Sequence, residues 1–533
     1  MKLVVIVPPV RYNTQDWGVY LGGRLIYTIL RDKGYDVDFI DYHLNFKNIE
    51  NASKELIEKK YDWIGMTAPF ALEMASAIEL SDTLKKNGYK GHITIGGAAA
   101  TMKAENVLNY CKSIDSISIG EGSKSIPIFI SELINDHSQI TTTKGFYFNT
   151  KDGIIKNQPD KAIIELDEDP FIEPYRDHHI MNIYTSRGCP HQCSFCSVHE
   201  FQKRSNQPLW KAKSPERVVE ELEMYNKEYN IKYFIFVDDN FFGSCKKGRE
   251  RAKSIARLLL EKNLGIHFSI ECRVDDVDKR LLNLLKRAGL WHVRLGVESG
   301  VQNMLERFNK HVTVKRNIEA MYTLIELGLE INVNYILFDP WTTVEELKEN
   351  LKFIKETKAY SISQSPLSVY SNHLGIIGGT KVAERLDELD VVDWTFPQVS
   401  DYHKKIIRDL GLVIDYKMKE EGMNKFRKVH MDWINKLDEK GSSLMKIYNY
   451  KLDELYNDNY DIYTTNIRKW FFNLCELATE IFEFEVENVE YKDEESLLMI
   501  INDKLNKYDV NILGSSFEQF IPSSDEIISI SAV

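Results

Sequence analysis

The stretch that decides the fold is Thr185-Ser186-Arg187-Gly188-Cys189-Pro190-His191-Gln192-Cys193-Ser194-Phe195-Cys196. Its cysteines form a C-x3-C-x2-C pattern, and the next cysteines along the chain are Cys111 and Cys245. A [4Fe–4S] cluster needs four ligands and usually takes them from thiolates. Because this loop offers only three, it would leave one iron open to a ligand that is not a cysteine. The pattern therefore predicts a cluster with a free coordination site.

Two other interpretations of these cysteines are a zinc site and three unrelated core residues. Structural zinc sites usually close with four ligands, often supplied by two C-x2–4-C knuckles. The chain has no second knuckle, which favours the iron–sulfur cluster. The other cysteines are scattered at 111, 245, 272 and 475, so a disulfide framework is not expected.

The cysteine spacing, Phe195 just before the third cysteine and the lead-in Thr185-Ser186-Arg187-Gly188 resemble the radical S-adenosylmethionine (radical SAM) enzymes. This resemblance implies that the open iron chelates the methionine moiety of SAM. An electron would then cleave the S–C5′ bond, giving methionine and a 5′-deoxyadenosyl radical. Phe195 would press against the adenine side of the loop. The resemblance assigns the cluster to Cys189, Cys193 and Cys196.

From residue 182 to about residue 370, strand and helix patterns alternate. This alternation predicts a (β/α) barrel, complete or partial, with its chemistry at the carboxyl ends of the strands. Two strand-end strings resemble SAM-binding loops of the family: Asp238-Asp239-Asn240-Phe241 and Arg294-Leu295-Gly296-Val297-Glu298-Ser299-Gly300. A third, Glu271-Cys272-Arg273, offers a guanidinium that could clamp the SAM carboxylate. The implied SAM contacts are Asp239, Glu271, Arg273 and Glu298. Each could instead form an ion pair at the barrel rim. The sequence assigns no catalytic side chain.

The next strand-end string, Phe338-Asp339-Pro340-Trp341-Thr342-Thr343, departs from the family's usual Gly-x-Pro-Gly-Glu/Asp-Thr. Phe338, Trp341 and Thr342 replace the two glycines and the acid. The added bulk indicates either a reshaped substrate pocket or a packed loop anchor.

The first 135 residues alternate short apolar strands with amphipathic helices, which predicts a parallel sheet that binds ligands at the carboxyl ends of its strands. Glycine-bearing loops fall at these ends, in the order Ile64-Gly65-Met66-Thr67, Ile95-Gly96-Gly97-Ala98 and Ile119-Gly120-Glu121-Gly122. In this order they resemble the cobalamin-binding domain of many radical SAM enzymes. The implied cobalamin contacts are Thr67, Gly96, Gly97, Ala98, Gly120, Glu121 and Gly122. A plain flavodoxin-like domain would also carry glycine here.

Asp41-Tyr42-His43 is similar to the D-x-H-x-x-G motif that places a histidine on cobalt. That motif belongs after the first strand, whereas this one follows the second, and Phe46 replaces the glycine. We therefore expect His43 not to ligate cobalt.

The predicted fold is α/β, with four parts. They are a flavodoxin-like (Rossmann-type) cobalamin-binding domain over 1–135, a linker with a small β element over 136–180, a radical SAM partial barrel over 181–400 and a mostly helical cap over 401–533. We expect the cap to close over the barrel mouth.

Composition narrows the possible partners. The net charge of −12 argues against a nucleic-acid backbone as the main partner. No apolar stretch approaches the roughly 20 residues of a membrane span, and the first residues fit a buried strand better than a signal peptide. A cytoplasmic protein is expected.

The resemblance covers about residues 1–375 and implies a cobalamin-dependent radical SAM enzyme. The commonest chemistry of such enzymes is C-methylation of an unactivated carbon. One SAM supplies the radical, and a second supplies the methyl group that cobalamin transfers. The expected partners are a small-molecule or peptide substrate and an electron donor such as flavodoxin or ferredoxin. Two alternatives remain: rearrangement, cyclisation or C–C or C–S coupling without methyl transfer, and a non-catalytic iron–sulfur sensor or binding protein.

Overall fold

The computed structural model describes residues 1–10, 20–43, 47–135, 140–161, 164–174, 180–359, 367–388, 400–420, 422–437, 460–488 and 498–505. For 460–473 it describes only the helical backbone. The chain divides into two compact units. The first comprises Met1–Glu298, Gln302–Asn334 and Leu374–Lys417, and the second Ser299–Val301, Tyr335–His373 and Met418–Val533.

The first unit begins with a seven-stranded sheet. Its strands are β1 (Leu3–Val7), β2 (Val37–Asp41), β3 (Trp63–Thr67), β4 (His92–Gly96), β5 (Ser116–Ser118), β6 (Phe146–Thr150) and β7 (Gly153–Asn157). The spatial order is β2-β1-β3-β4-β5-β6-β7, and β1 to β5 run parallel. All five residues of β1 are apolar and buried, as expected for a central strand covered on both faces.

Among the described residues up to 135, six helices accompany this sheet: α1 (Leu21–Asp32), α2 (Ile49–Glu58), α3 (Ala71–Lys86), α4 (Ala98–Met102), α5 (Ala104–Tyr110) and α6 (Gly122–Asn135). The side chain of Asn48 caps α2 by accepting the N–H of Asn51 at 2.8 Å. Two hydrophobic clusters pack in this layer, one against α2 and α3 and the other against α1 and α6.

The hairpin β6–β7, which the sequence placed in a linker, extends the first sheet. β6 pairs antiparallel with β5, and β7 with β6. Phe146 and Phe148 are buried in the core, where the ring of Phe129 stacks on Phe146 at 4.6 Å. The hairpin joins the sheet because it offers two aromatic side chains to that core.

A second sheet of five strands follows. Its strands are β8 (Ile180–Ile183), β11 (Tyr233–Phe236), β12 (His267–Arg273), β13 (Leu290–Glu298) and β14 (Glu330–Tyr335), in the order β14-β13-β12-β11-β8. The pairs β8–β11, β11–β12 and β12–β13 are parallel. Between β8 and β11 in the sequence, the strands β9 (Ser186–Gly188) and β10 (Trp210–Ala212) form a short antiparallel pair.

The helices that alternate with these strands in the first unit are α7 (Val198–Arg204), α8 (Pro215–Tyr229), α9 (Lys246–Lys262), α10 (Lys279–Arg287), α11 (Gln302–Arg307) and α12 (Val314–Glu326). Four of them begin at a side-chain cap. Ser214, Cys245, Asp278 and Thr313 each accept a backbone N–H of the first turn, and Pro215 stands at the first position of α8. The alternation of parallel strands with helices is that of a partial (β/α) barrel.

Residues 401–417, predicted as the start of the cap, pack instead on the first sheet layer. They form α15 (Asp401–Asp409) and β16 (Val413–Ile414), which pairs antiparallel with β15 (Ile376–Ile377). Ile406 and Ile407 join the hydrophobic cluster of α3, and His403 pairs with Glu79. This segment lies there because its apolar side chains complete that cluster.

The second unit is helical in its described residues. It contains α13 (Val344–Thr357), α14 (Ser368–Ser371), α16 (422–437), α17 (Tyr460–Glu487) and α18 (498–505). His430 lies fully buried at its centre. Its Nδ1 is 2.7 Å from Glu485 Oε2, and its Nε2 is 2.8 Å from the carbonyl oxygen of Tyr370. The indole of Trp433 donates to the same carboxylate oxygen at 3.1 Å.

The bulky string at 338–343 is a packed anchor within this unit. Phe338 is buried, with its ring 6.2 Å from that of Phe426. The hydroxyl of Thr342 donates to Asp339 at 3.1 Å and accepts the N–H of Asp339 at 2.8 Å.

Among the described helices, none combines the length and the apolar composition that a bilayer crossing requires.

Asp238 ties β8 to β11, and this contact gives a stability prediction. The buried carboxylate accepts the N–H and hydroxyl of Thr185 at 2.6 and 2.5 Å and the N–H of Ser186 at 2.8 Å. Asp238→Ala leaves these buried donors unsatisfied, so we expect a loss of about 3 kcal/mol in the free energy of unfolding. Urea denaturation followed by tryptophan fluorescence measures it. The surface variant Asp32→Ala is the control, and an equal effect there would contradict the prediction.

Candidate active site

The cluster loop, residues 189–196, follows β9 and is anchored from two sides. Ser194 donates its N–H to the carbonyl of Phe308 at 2.8 Å, and Asn309 donates to the carbonyl of Gln192 at 2.6 Å. On the other side, the N–H of Val382 donates to the carbonyl of Ser194 at 2.9 Å. These contacts hold the loop that carries the three cysteines, each of which is partly buried.

Donors and cations surround the cysteine sulfurs. Arg273 Nη1 lies 3.5 Å from Cys193 Sγ, and Asn240 Nδ2 lies 3.9 Å from Cys189 Sγ. Burial raises the pKa of Cys196 to about 12. A thiolate is therefore costly here unless a cation binds it. In the described residues, no group of three or more His, Cys, Asp or Glu side chains converges as a single metal ion would need. A cluster differs because each thiolate binds a different iron.

Lys310 adds a second buried cation beside the cluster loop. Burial lowers its pKa, but Glu298 and Cys193 beside it raise the pKa above its ordinary value. Its Nζ donates to Glu298 Oε1 at 2.6 Å, and its carbonyl oxygen accepts Arg273 Nη2 at 2.6 Å. Glu298 itself has a φ of +64°, in the left-handed region.

The predicted SAM residues lie at the carboxyl ends of β11, β12 and β13. Asp239 accepts the N–H of Gly188 at 2.8 Å, and burial raises its pKa to about 6. Burial also raises the pKa of Glu271, to about 7, although Arg294 at 3.9 Å opposes the shift. Arg273 and Glu298 each have an ion-pair partner, Asp275 and Lys310. Glu271, Arg273 and Glu298 thus form ion pairs, the alternative considered from the sequence, and the SAM contacts stay predictions.

Two groups of the cluster loop itself fit a bound ligand. Phe195 packs edge-on against the ring of Phe308 at 5.6 Å. His191 Nε2 is buried and has no hydrogen-bond partner in the described part of the chain. Burial lowers the pKa of His191 to about 4, so the imidazole is neutral near pH 7.

A cavity of about 330 Å³ lies at the carboxyl ends of the first sheet. Residues of the three glycine-bearing loops line it: Gly65, Met66, Thr67, Gly96, Gly97, Gly120, Glu121 and Gly122. Its wall also includes Tyr184, Ser186, Arg187, Val237 and Asp239 from the second sheet and its approach. Ala98 is not among the described residues that line it.

The cavity has features of a cradle for a large polar ligand. Gly97 has a φ of +116°, and a Cβ there would lie 2.7 Å from the backbone of Ala68. Gly120 has a φ of +75°, and its Cβ would lie 2.5 Å from Ser205 Oγ. The hydroxyls of Ser118 and Ser123 also line the cavity, buried and without a hydrogen-bond partner in the described ranges. Such hydroxyls suit a ligand that offers polar groups of its own.

A buried ion-pair network forms part of the cavity wall. Arg187 donates through Nη1 to Glu121 and through Nη2 to Asp169, the latter at 2.9 Å. Lys211 Nζ lies 3.0 Å from the other oxygen of Glu121. Burial raises the pKa of Glu121, but Arg187 and Lys211 hold it below its ordinary value. We call the Glu121–Arg187 contact the bridge.

His43 does not line the cavity among the residues described. It is buried, its Nδ1 lies 3.2 Å from the carbonyl oxygen of Val10, and its ring meets Tyr20 edge-on at 6.2 Å. These are the contacts of a core histidine. Phe46, at the glycine position of the D-x-H-x-x-G pattern, and residues 11–19 lie outside the described ranges.

Comparison with known proteins decides the family. Residues 183–354 match the model of the radical SAM superfamily, and residues 15–130 match the B12 binding domain. The chain belongs to the cobalamin-dependent radical SAM enzymes. Its cofactors are therefore a [4Fe–4S] cluster, SAM and cobalamin. The predicted family, fold class and cofactors are confirmed. Apart from the hairpin β6–β7 and residues 401–417, which belong with the first sheet layer, the predicted domain boundaries and the individual contacts stay predictions.

Among the relatives of this radical SAM enzyme, some are named as methyltransferases and others as cyclases. An uncharacterized methyltransferase of Pyrococcus horikoshii is 28% identical over 375 residues, which are 67% of this chain and 78% of that protein. An anaerobic magnesium-protoporphyrin IX monomethyl ester cyclase of Rubrivivax gelatinosus is 26% identical over 360 residues, 64% of this chain and 61% of the cyclase. The chain thus spans about three fifths of the cyclase's length.

A solved structure shares the fold. It is the cobalamin-dependent S-adenosylmethionine radical enzyme OxsB, determined with aqua-cobalamin and SAM bound. The TM-score is 0.70 at 20% identity, over 95% of this chain and 75% of OxsB.

The residues present fit the family's cofactors. The three cysteines with Arg273 and Asn240 beside them suit a negatively charged cluster, because hydrogen bonds to its sulfurs stabilise the reduced form. The unpartnered hydroxyls of Ser118 and Ser123, in the cavity that the three glycine-bearing loops line, suit polar groups of cobalamin.

Sequence reasoning missed several residues of this site. Arg187 belongs to the lead-in of the cluster loop, but its local context indicated no role, and Asp169 fell in a segment assigned to a linker. Lys211 and Lys310 carry no local signal, because their partners Glu121 and Glu298 become neighbours only through the fold.

SAM affinity tests the predicted contacts. We expect Glu298→Gln and Arg273→Met each to weaken SAM binding more than tenfold, because a lost charged hydrogen bond costs about 1.5–3 kcal/mol. Equilibrium binding of SAM to the reconstituted protein measures it, and the cluster spectrum should change less. Glu326→Gln, which removes the carboxylate of an exposed ion pair with Lys279, is the control. Normal SAM binding by both variants would refute the placement.

Proposed function

We propose that this enzyme methylates an unactivated carbon of a small-molecule or peptide substrate. One observation carries the proposal: the cavity at the predicted cobalamin loops is lined by two residues that adjoin the cluster loop. Asp239 and Arg187 line the cavity. Asp239 also accepts a hydrogen bond from the N–H of Gly188, the residue before Cys189. A methyl carrier and a radical source would therefore lie close enough to act on the same substrate.

The overall reaction balances with two SAM molecules and two electrons for each methyl group added. One SAM accepts an electron and yields methionine and the 5′-deoxyadenosyl radical, which removes a hydrogen atom from the substrate carbon. The other gives up its methyl group and leaves S-adenosylhomocysteine. Cobalamin, when bound, supplies the methyl carrier between the two. An electron donor such as flavodoxin or ferredoxin would provide the electrons.

The chain's own residues have defined tasks in this proposal. Cys189, Cys193 and Cys196 hold the cluster, and Phe195, Asp239, Glu271, Arg273 and Glu298 position SAM. Arg273 fits a carboxylate because it already lies beside Cys193 and presents a guanidinium there. Thr67, Gly96, Gly97, Ala98, Gly120, Glu121 and Gly122 form the cobalamin loops.

Isotope labelling tests the proposal even while the substrate is unidentified. Reconstituted enzyme is incubated anaerobically with a low-potential reductant, methyl-deuterated SAM and a cell metabolite extract. Mass spectrometry should find an ion that gains a trideuteromethyl group, and Cys193→Ala should not form it. Substrate turnover with no deuterated methyl in any product would refute methylation.

A second candidate function follows from the cyclase relative. Rearrangement, cyclisation or coupling would use the same cluster and SAM but would transfer no methyl group. In the same experiment, this function would consume substrate and form 5′-deoxyadenosine without S-adenosylhomocysteine.

A further inference from the structure

We infer that Glu121 and Arg187 are positioning residues: the bridge between them fixes the third cobalamin loop against the cluster loop and sets the separation of the two cofactors. The inference rests on the proposed function, because it assumes that both cofactors are bound. It gives Glu121 a task that is distinct from contact with cobalamin.

The bridge joins the two loops directly. Glu121 follows β5 of the first sheet, and Arg187 lies in β9, two residues before Cys189. Both line the cavity. One ion pair therefore spans from the loop predicted to meet cobalamin to the start of the loop predicted to hold the cluster.

The charge and burial of the network favour a geometric role. Two acids, Glu121 and Asp169, face two bases, Arg187 and Lys211, so the charges balance. The side chains are 5 to 18% exposed. A buried ion pair adds little net stability, because desolvation offsets the attraction, but it can fix one arrangement. Arg187 uses separate guanidinium nitrogens for Glu121 and Asp169, which a lysine cannot do in the same planar geometry.

The side chain and the backbone of Arg187 both have fixed contacts. Its guanidinium lies 4.3 Å from the ring centre of Tyr184, whose hydroxyl donates to Asp169 at 2.8 Å. Its backbone pairs with Lys211 in the β9–β10 ladder. The next residue, Gly188, donates its N–H to Asp239. A displacement of Glu121 would therefore move Arg187 and, through Gly188, would also move Cys189.

The chain offers a matched control for a purely structural role. Lys213 donates to Glu221 at 2.6 Å, and their side chains are 1 and 4% exposed. This pair lies in the same unit, but neither residue is in the cavity wall among the residues described. Glu221→Gln breaks an ion pair at least as buried as the bridge. Its partner Lys213 lies 4.1 Å from the ring centre of Tyr184, so the control also shares that neighbour with the bridge.

Pulsed electron paramagnetic resonance on the full-length holoprotein tests the inference. Reduced cluster and cob(II)alamin each carry an unpaired electron, so their dipolar coupling reports the distance between them. Wild type and Glu221→Gln should give the same narrow distance distribution. Glu121→Gln and Arg187→Met should each broaden or shift it, with cobalamin and cluster contents still measurable by absorbance and iron analysis.

The outcomes separate this inference from the function on which it rests. A wild-type protein that binds no cobalamin would overturn the proposed function. If wild type binds both cofactors and both bridge variants keep its distance distribution, the positioning role is overturned while the function stands. A change of equal size in Glu221→Gln would overturn it too. Loss of a cofactor from both bridge variants, with Glu221→Gln fully loaded, supports the same role in a stronger form.

Discussion

Cys193→Ala should purify without a [4Fe–4S] cluster and should form no 5′-deoxyadenosine from SAM. This is the largest effect that we expect, because a cluster held by three thiolates cannot lose one and keep a stable binding site. Arg273 Nη1 also lies 3.5 Å from Cys193 Sγ, so the substitution removes this contact while Arg273 keeps its ion pair with Asp275. Iron content and absorbance after anaerobic reconstitution measure the cluster, and chromatography measures 5′-deoxyadenosine.

Cys245→Ser is the matched control for that variant. Cys245 lies outside the cluster loop and caps α9 by accepting the N–H of Gly248 at 3.3 Å, a contact that serine can replace. We expect the control to bind a full cluster and to cleave SAM. A complete cluster in Cys193→Ala would refute the assignment of the metal site.

Gly96→Phe should abolish cobalamin binding and leave the cluster intact. Gly96 lines the cavity without a positive φ, and a Cβ there would lie 3.7 Å from Ser118 Cβ, an ordinary contact. The added ring would occupy the space of the ligand. We expect the affinity for cobalamin to fall by about 100-fold or more, roughly 2.7 kcal/mol. Corrin absorbance after gel filtration of cobalamin-supplemented protein measures the loss.

Gly96 is chosen instead of Gly97 because its replacement adds bulk to the cavity without disturbing the loop backbone. Gly97 has a φ of +116°, and any side chain there would press on the backbone of Ala68, so its replacement would disturb the loop itself. Gly375→Phe is the matched control, because a Cβ at Gly375 meets nothing within 4 Å and the residue is not among those described in the cavity wall. Cobalamin bound equally by Gly96→Phe and wild type would contradict the placement of the site.

Local sequence patterns predicted most of the positions that build the two sheets. The predicted alternation of strands and helices is present over the first 135 residues and again from β8 to β14, where α8 begins at Pro215 after the cap residue Ser214. These elements were predictable because hydrophobic period, caps and glycine turns act over a few residues.

The errors arose where distant parts of the chain meet. Residues 401–533 were predicted as a mostly helical cap, but α15 ends at Asp409, Gly411 takes a φ of +54° and β16 follows. α15 belongs to the first sheet layer because Ile406 and Ile407 complete the cluster of α3. No local pattern indicates such a contact.

The same reason explains what was missed in the candidate site. The glycine loops and the cysteines carry their signal within a few residues, and they were found. The bridge joins Glu121 to Arg187 across 66 positions, and Lys310 reaches Glu298 from the other side of α11. Charged residues of this kind are common on any surface, so only the fold shows that these are buried and paired.

The products that the reduced enzyme forms from SAM without added substrate test the central claim most directly. A cobalamin-dependent methylating radical SAM enzyme should form both 5′-deoxyadenosine and S-adenosylhomocysteine. The S-adenosylhomocysteine should rise in step with the cobalamin bound and disappear in Gly96→Phe, while 5′-deoxyadenosine persists there. Formation of 5′-deoxyadenosine with no S-adenosylhomocysteine from a fully cobalamin-loaded wild type would contradict methyl transfer and leave the radical chemistry without it.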